Sequence, residues 1–307
     1  MTSARTLFLE RITSLSNSAQ IDAVGNKALT EKAHNDIARM LRNGLAVVGF
    51  AALEDFIKTR TSEVLSQVGT TGLPFRDLPE KLRNAATFES VSALSYQMSI
   101  RDKSDRVSYI QEHASKISST SSTAYEITPH AFGYDQANVG HEVIKSILKS
   151  FLIDDAWGEM TKLAGRIGLV SMPLEETFKS AGIRRNRAAH VAHADTPQTD
   201  LIQFTKEAFA IAIGFDTLLS KALQLMSIHD ASYLKGQKKL DASLIKIRFV
   251  KYKDTKWREV SEGSTKAIKA SVDLDGLRRE AHARSVKNAE LYVEFNQDGN
   301  IASWMCS

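Results

Sequence analysis

Cysteine is nearly absent from this sequence: among 307 residues there is one, Cys306. A single cysteine excludes an intrachain disulfide, and it also excludes the cysteine clusters that hold structural zinc or iron–sulfur groups. No uninterrupted apolar run reaches the roughly 18–20 residues of a membrane span, and the first residues lack the apolar block of a secretory signal. We therefore expect a cytoplasmic protein with no membrane anchor.

A strong excess of one charge is also lacking. Forty lysines and arginines stand against 36 acidic residues, a formal net charge of +4, and the pI is near 9.0. A surplus this small hints at an acidic partner without establishing one. The apolar content of 43% and the charged content of 25% are ordinary for a globular protein with a sizeable core. The function must therefore be sought in local motifs.

The first part of the chain, residues 1–228, carries the apolar period of amphipathic helices. Helices are predicted over about residues 4–24, 30–68, 79–97, 103–115, 136–151, 155–167, from 173 to the arginine-rich segment, and 198–226. In the second of these helices, the stripe expected to face the core is formed by Ile37, Leu41, Leu45, Val48, Ala52 and Phe56. Small residues inside the same helix, Gly44 and Gly49, would let another helix approach closely. The pattern predicts an all-helical domain.

Residues 229–307 have a different pattern. Ile245, Ile247 and Phe249 alternate with Lys246 and Arg248, which is typical of a half-buried strand. Further strands are predicted near residues 256–260, 267–273, 291–295 and 301–304, with a short helix over 273–286 and a hairpin turn at 296–300. We therefore expect a mainly α protein, with a helical bundle over residues 1–228 and a small α+β module over residues 229–307.

The first predicted strand lies in a basic region. Between residues 235 and 258, nine lysines and arginines stand against two aspartates. Such a region can bind a nucleic-acid backbone and stack a base on an aromatic ring, but a solvated strand face that lysine keeps soluble has the same composition. The candidate RNA contacts are Lys246, Arg248, Lys251, Lys253 and Trp257.

One short segment, residues 181–193, concentrates three arginines, an asparagine and two histidines. Arginine is a permanent cation that binds phosphate, and histidine is the side chain best suited to move protons near neutral pH. Together they indicate chemistry on a phosphodiester, and the simpler alternative is a basic helix that faces water. Within the segment, Arg185, Asn186 and His190 form the pattern of an arginine, a polar residue, three others and a histidine.

This pattern resembles the signature of the HEPN superfamily of ribonucleases. Two stretches resemble its RiboL-PSP type: Ala38-Arg-Met-Leu-Arg-Asn-Gly-Leu-Ala-Val-Val-Gly-Phe-Ala-Ala-Leu-Glu-Asp-Phe, and Arg184-Arg-Asn-Arg-Ala-Ala-His, in which alanine replaces the usual bulkier apolar residue before Ala189. The resemblance covers about residues 28–228. An arginine and a histidine at similar spacing also occur in other frames, but the requirement for asparagine after the arginine leaves only the frame from Arg185 to His190.

The resemblance implies an endoribonuclease that needs no metal or cofactor. RNA carries its own nucleophile, the 2′-hydroxyl, so the enzyme need only align it, move protons and stabilise the charged phosphorane. His190 would transfer protons, Arg185 would hold the phosphate, and Asn186 would orient the imidazole or contact RNA. The accessory candidates are Glu54, His193, Arg184 and Arg187. The expected products are a 2′,3′-cyclic phosphate and a 5′-hydroxyl.

Helix geometry adds a requirement. Arg185 and His190 are five residues apart, about 140° around an ideal helix, which is awkward for one catalytic centre in one chain. The resemblance implies a solution, because such domains pair as homodimers that bring two copies of the motif together. It also implies a toxin or an antiviral defence effector, with an antitoxin or trigger protein as a further partner. The alternative is a non-catalytic helical binding or sensing protein that keeps the dimer surface.

Overall fold

The structure, a computed structural model, describes residues 3–132, 139–169 and 172–306. Its helices up to residue 234 are α1 (Ala4–Ser18), α2 (Lys32–Val68), α3 (Glu80–Asn84), α4 (Ser90–Ile100), α5 (Arg106–Ser119), α6 (His141–Ser150), α7 (Ala156–Ile167), α8 (Leu174–His190), α9 (Gln198–Ser227) and α10 (Ala231–Leu234). The remaining elements are β1 (Lys246–Lys253), β2 (Lys256–Ser261), β3 (Lys269–Ser271), α11 (Leu274–Asn288), β4 (Glu290–Phe295) and β5 (Ile301–Met305). The predicted mainly α fold with a small C-terminal α+β module is confirmed.

The two long helices, α2 and α9, pack against each other, and α1, α7 and α8 pack around them. Gly49 permits this arrangement, because a Cβ atom there would lie 2.6 Å from the Leu15 side chain and 3.1 Å from the Phe204 ring. By length and composition α9 is apolar enough to cross a membrane, but 72% of its most apolar window is buried inside the protein. Its apolar character is therefore explained by its central place in the bundle.

The apolar stripe of α2 is only partly buried, so the sequence prediction was wrong for three of its residues, although Leu45 between them packs against the core. Ala52 and Phe56 lie in the core, whereas Ile37 is 58%, Leu41 41% and Val48 65% exposed. These three side chains are therefore exposed on the surface of the single chain. We call this surface the α2 apolar face; it consists of Ile37, Met40, Leu41, Gly44 and Val48.

The five strands form one sheet in the order β3-β2-β1-β4-β5, with β1 parallel to β4 and the other neighbours antiparallel. One face of the sheet packs on the bundle and the other on α11. The ring of Trp304 lies 6.0 Å from that of Phe8 and 6.1 Å from that of Phe56, centroid to centroid. The sheet and the bundle therefore share one continuous core, and the predicted division between residues 228 and 229 falls in the turn after α9.

Residues 247–250 of the first strand are buried on both faces of the sheet, whereas Lys246 and residues 251–253 are exposed, which corrects the prediction of a half-buried strand at Arg248. Arg248 is 3% exposed, and its guanidinium lies 2.5 Å from both Glu259 and Glu290. Trp257 is also buried, and it packs with Leu277 of α11. Neither side chain is at the surface, so Arg248 and Trp257 are no longer candidates for contact with RNA.

Two buried histidines join α5 to the segment that follows it. The rings of His113 and His130 are in edge-on contact, with centroids 4.5 Å apart. Nδ1 of His113 lies 2.9 Å from Oγ1 of Thr128, and the hydroxyl of Tyr109 is hydrogen-bonded to Nε2 of His130. The guanidinium of Arg101 covers the Tyr109 ring at 3.6 Å. These contacts tie residues 128–130 to the helix.

The surroundings of this pair disfavour protonation. Burial lowers the pKa of His113, and burial together with His113 lowers the pKa of His130 to about 4. The cations Arg101 and Lys116 act in the same direction, while the carboxylate of Glu112 opposes them. Both rings are therefore held neutral at physiological pH.

Acid should consequently destabilise this protein well above the range in which carboxylates titrate. A histidine with a depressed pKa contributes stability above its ordinary pKa of about 6.5, and this stability is lost as the pH falls toward about 4. For His130 the loss approaches about 3 kcal/mol. Replacing His130 by glutamine should flatten the unfolding free energy between pH 6.5 and 4, measured by urea denaturation. Equal slopes in the wild type and the His130→Gln protein would contradict this explanation.

Candidate active site

The motif helix α8 is regular through its last residue, His190. Pro173 immediately precedes the helix, and Glu175 and Glu176 in its first turn complement the positive end of the helix dipole. The backbone N–H of Val191 still donates to the carbonyl of Arg187, and the chain then becomes extended. The helix thus carries the whole motif to its C-terminal end.

The predicted catalytic side chains lie along the exposed end of this helix. Arg185 is half-buried, and its Nη1 donates to Oδ1 of Asn186 at 2.9 Å. Asn186, Arg187 and His190 are exposed, and His193 is exposed in the loop that follows. The structure therefore presents an arginine, an amide and two imidazoles to solvent within one short segment.

Glu54 lies on the neighbouring helix α2, in the electrostatic field of Arg185. Its side chain is 7% exposed, and Oε1 accepts a hydrogen bond of 2.8 Å from the backbone N–H of Val139. Burial raises the pKa of this carboxyl above its ordinary value, while the Val139 N–H, Arg185 and Lys58 limit the rise. Of the accessory candidates, Glu54 is thus a buried carboxyl whose pKa responds to the arginine of the motif.

Arg184, another accessory candidate, points in a different direction. Its Nη2 donates to Oε2 of Glu207 at 3.2 Å, and its Nε lies 3.8 Å from Oδ2 of Asp200. Both acids belong to α9. Arg184 therefore ties the motif helix to α9, and its guanidinium is not directed at the same place as that of Arg185.

Arg185 and His190 lie on different sides of α8. Because α8 is regular, Arg185 and His190 are separated by about 140° around the helix axis and about 7.5 Å along it. Within the described part of the chain, neither ring nitrogen of His190 has a hydrogen-bond partner. A catalytic histidine normally has a partner that fixes its ring and tautomer. An additional group must therefore meet His190 if it is to act as a catalyst.

The loop after the motif is held by a buried clamp that the sequence pattern did not reveal. Arg42 of α2 is 2% exposed and binds Asp195 Oδ1 at 2.5 Å, the Thr196 carbonyl at 2.8 Å and the Val24 carbonyl at 2.8 Å. The adjacent Asn43 donates to the Ala194 carbonyl at 2.7 Å and accepts from the Thr196 backbone N–H at 3.1 Å. The position of residues 194–196 relative to α2 is thereby fixed.

Loss of this clamp should be costly. Replacing Arg42 by alanine leaves buried carbonyl oxygens of residues 24 and 196 without a donor, which should lower the free energy of unfolding by about 2–4 kcal/mol in urea denaturation. Arg39 provides a matched control, since its ion pair with Asp36 on the same helix is largely solvated. Arg39→Ala should cost less than about 1 kcal/mol. Equal losses of unfolding free energy in the two variants would show that the clamp does not contribute to stability.

Apolar residues surround the motif at the surface. On α8 itself, Ile183 is 61% exposed, and Val191 directly after the helix is 50% exposed. The helix packs closely on α2, since a Cβ atom at Gly182 would lie 3.5 Å from the Phe50 ring. The α2 apolar face and the apolar residues of α8 therefore belong to two adjacent helices, one of which carries the motif.

The other predicted groups take separate places. The exposed candidates for RNA contact on β1 are Lys246, Lys251 and Lys253, on the sheet beyond the bundle. The structure also brings His141, Glu142 and Glu175 together, with ligand atoms within 4.8 Å of one another. Lysines already neutralise these acids: Lys145 lies 3.2 Å from Glu142 and Lys179 lies 3.0 Å from Glu175. We assign no role to this acidic group.

Comparison with known proteins matches most of the chain to a family model. The sequence model of the RiboL-PSP-HEPN family matches residues 7–222, which include α2, the motif helix α8 and nearly all of α9. No curated protein and no solved structure matches the chain. The matched region is more than two thirds of the 307 residues, and this chain belongs to the RiboL-PSP-HEPN family.

Proposed function

We propose that this protein is a metal-independent endoribonuclease that acts as a homodimer. HEPN domains are generally ribonuclease-like, and the observation that carries the proposal for this chain is the exposed frame Arg185-Asn186-x-x-x-His190 at the end of α8. Glu54 is a buried carboxyl that interacts electrostatically with the arginine. These features support phosphodiester chemistry over a basic helix that merely faces water.

Each side chain has a defined task in the proposed reaction. His190 of one subunit removes the proton from the 2′-hydroxyl, and the 2′-oxygen attacks the adjacent phosphorus. Arg185 binds the non-bridging oxygens and stabilises the charge that develops on them. The bond from phosphorus to the 5′-oxygen breaks, and that oxygen takes a proton from the histidine or from water. The products are a 2′,3′-cyclic phosphate and a 5′-hydroxyl.

The dimer is proposed because of two features of the single chain. His190 lacks a hydrogen-bond partner in the described residues, and apolar side chains of α2 and α8 are exposed beside the motif. A two-fold interface uses the same patch on both subunits, so a patch next to the motif places two motifs near the axis. Burying the α2 apolar face would also remove several large exposed side chains from water.

Cleavage of RNA by the purified protein in EDTA tests the proposal. We expect total RNA to be cut to fragments with 2′,3′-cyclic phosphate ends, and Arg185→Ala and His190→Ala to be slower by at least about 100-fold. Lys179→Ala, earlier on the same helix, is the matched control and should retain activity. A contaminating nuclease would give equal cleavage in all four preparations, and that result would refute the assignment of the site.

The same experiment distinguishes the alternative function. If a folded, dimeric wild-type protein cuts no RNA, the domain serves binding or sensing and the catalytic proposal is wrong.

For the active enzyme we further propose a role as a toxin or antiviral defence effector, held in check by an antitoxin or trigger protein. Induced expression should then stop growth for the wild type and not for His190→Ala. Equal growth at equal protein levels would contradict this role.

A further inference from the structure

A polar cleft separates the bundle from the turn between β4 and β5. Its volume is about 760 Å³, within the range of pockets that hold small ligands. One wall is α1 and the other is the β4–β5 turn, with the middle of α9 behind them. None of the residues predicted for catalysis lines it.

The wall formed by α1 is one face of the helix. Ser16 and Asn17 follow Thr13 by three and four residues, so these three side chains project to the same side, and Gln20 just after the helix extends the wall. All four are polar and uncharged. This is an unusual surface for a helix end beside a core, and it offers hydrogen bonds without the cost of desolvating a charge.

The opposite wall offers the same chemistry. Asn296 uses its Oδ1 within the turn, where it accepts from the backbone N–H groups of Asp298 at 3.0 Å and Asn300 at 2.9 Å. Its amide nitrogen and the carboxamides of Asn17 and Asn300 have no hydrogen-bond partner among the residues that the structure describes. Carboxamide groups thus line the cleft on both sides. Asn17 and Asn300 each offer a donor and an acceptor, and Asn296 offers the donor of its amide nitrogen.

The rest of the lining is apolar at the base and charged at two points. Phe209 is half-buried and Ile301 is buried at the base of the cleft, Lys206 of α9 is exposed, and Asp298 is exposed in the turn. Neither Lys206 nor Asp298 has a side-chain ion pair within the described ranges. The cleft therefore combines amides, an apolar base, one free cation and one free carboxylate.

We propose that this cleft binds a single ribonucleotide, either free or as one unit of an RNA strand. Carboxamides match the alternating donors and acceptors of a nucleobase edge, as asparagine and glutamine do in base recognition. The apolar base of the cleft suits the face of the ring. Asp298 can accept hydrogen bonds from the ribose hydroxyls, and Lys206 can bind the phosphate.

The position of the cleft relates it to the proposed active site. Lys206 is followed by Glu207, which binds Arg184 of the motif helix, so one turn of α9 borders both places. If the nucleotide belongs to an RNA strand, the cleft selects a base at a fixed distance from the cut, and this version rests on the proposed ribonuclease function. Binding of a free nucleotide does not depend on it.

Calorimetric titration of the full-length His190→Ala protein tests the site without cleavage. The probes are the four ribonucleoside 5′-monophosphates, their 2′-deoxy forms and a single-stranded RNA octamer of mixed sequence. We expect at least one probe to bind with a Kd below about 1 mM. Asn17→Ala and Asn300→Ala should each weaken binding by about tenfold. Asn288→Ala, an exposed asparagine on α11, should change nothing.

Two further variants test how the nucleotide is held. Asp298→Asn should reduce the preference for ribose over deoxyribose, and Lys206→Ala should weaken the monophosphate more than the matching nucleoside. Binding of monophosphates alone identifies a free ligand, and binding of the octamer alone identifies an RNA strand. Absence of binding by every probe, or binding that Asn17→Ala and Asn300→Ala leave intact in folded protein, would overturn the proposal whether or not the enzyme cleaves RNA.

Discussion

Combining an Arg185→Ala chain with a His190→Ala chain is expected to restore about a quarter of wild-type RNA cleavage, although each variant alone is at least about 100-fold slower. The reason is the geometry of α8. Its regular helix keeps the two side chains on different faces, and within the described residues His190 has no partner that would fix its ring. A site that takes its arginine from one subunit and its histidine from the other meets both constraints.

The expected fraction follows from counting sites. Random pairing of equal amounts makes about half of the dimers mixed, and each mixed dimer has one site with both residues intact and one with neither. If the chains carry different affinity tags, purified mixed dimers should have about half of the wild-type activity per dimer. Both species should give the same cyclic-phosphate ends, because the intact site is unchanged.

Two controls make the result decisive. Mixed dimers purified from two tagged copies of His190→Ala should remain inactive, which excludes contamination. Val48→Glu places a charge on the α2 apolar face and should prevent dimerisation, measured by sedimentation, and should abolish the restored activity with it. No restoration in verified mixed dimers would place each site within one chain. A monomeric wild-type protein with full activity would also show that each site lies within one chain.

Helix positions were predictable because apolar periodicity is a local property. The period of three to four residues located α2 and α9 within a few positions, and Asp155 and Pro173 marked the starts of α7 and α8. The alternation from Ile245 onward likewise located β1. The candidate motif was found in the same way, since all of its residues lie within one helix. Whether those residues catalyse a reaction remains a proposal.

Periodicity identifies an apolar face without identifying what covers it. Ile37, Leu41 and Val48 have the same spacing as Ala52 and Phe56, yet the first three are exposed. A face intended for a second subunit has the same sequence pattern as one buried within the chain. The prediction of a buried stripe therefore failed where the structure leaves room for a partner.

The burial of certain charged side chains was the second feature that could not be predicted from the sequence. Arg42 and Arg248 stand in amphipathic segments where a basic residue normally faces water, but both are buried in ion pairs. The partner of Arg42 is Asp195, 153 residues away. Such ion pairs form between residues that are distant in the sequence, so no local sequence pattern predicts them.

The largest stability effect should come from another such charge, Asp216 in the middle of α9. Its carboxylate is fully buried and accepts from Arg5 Nε at 2.6 Å, Arg60 Nε at 2.6 Å and Trp304 Nε1 at 2.7 Å. Burial alone would raise its pKa, but Arg5 and Arg60 outweigh burial and hold the pKa well below its ordinary value. One side chain thus joins α1, α2, α9 and β5.

Asp216→Ala leaves the largely buried guanidinium of Arg5 without its ion-pair partner and that of Arg60 with Glu63 alone, so the free energy of unfolding should fall by about 3–5 kcal/mol. That is a large share of the stability of a typical domain, so the variant should be mostly unfolded or insoluble at 37 °C. Asp275→Ala, which removes a solvated ion pair of α11, should cost less than about 1 kcal/mol. Urea denaturation followed by circular dichroism measures both.

Asp216→Asn keeps the shape and tests the charge itself. A carboxyl with a depressed pKa stabilises the fold fully above its ordinary pKa of about 4 and loses that contribution as the pH falls further. The wild type should therefore lose stability below about pH 4 more steeply than Asp216→Asn. Because Trp304 shares this carboxylate, the tryptophan fluorescence, to which Trp304 contributes, should report the same transition as the helical signal. Separate transitions, or an Asp216→Asn protein as stable as the wild type, would show that the buried charge does not join the sheet to the bundle.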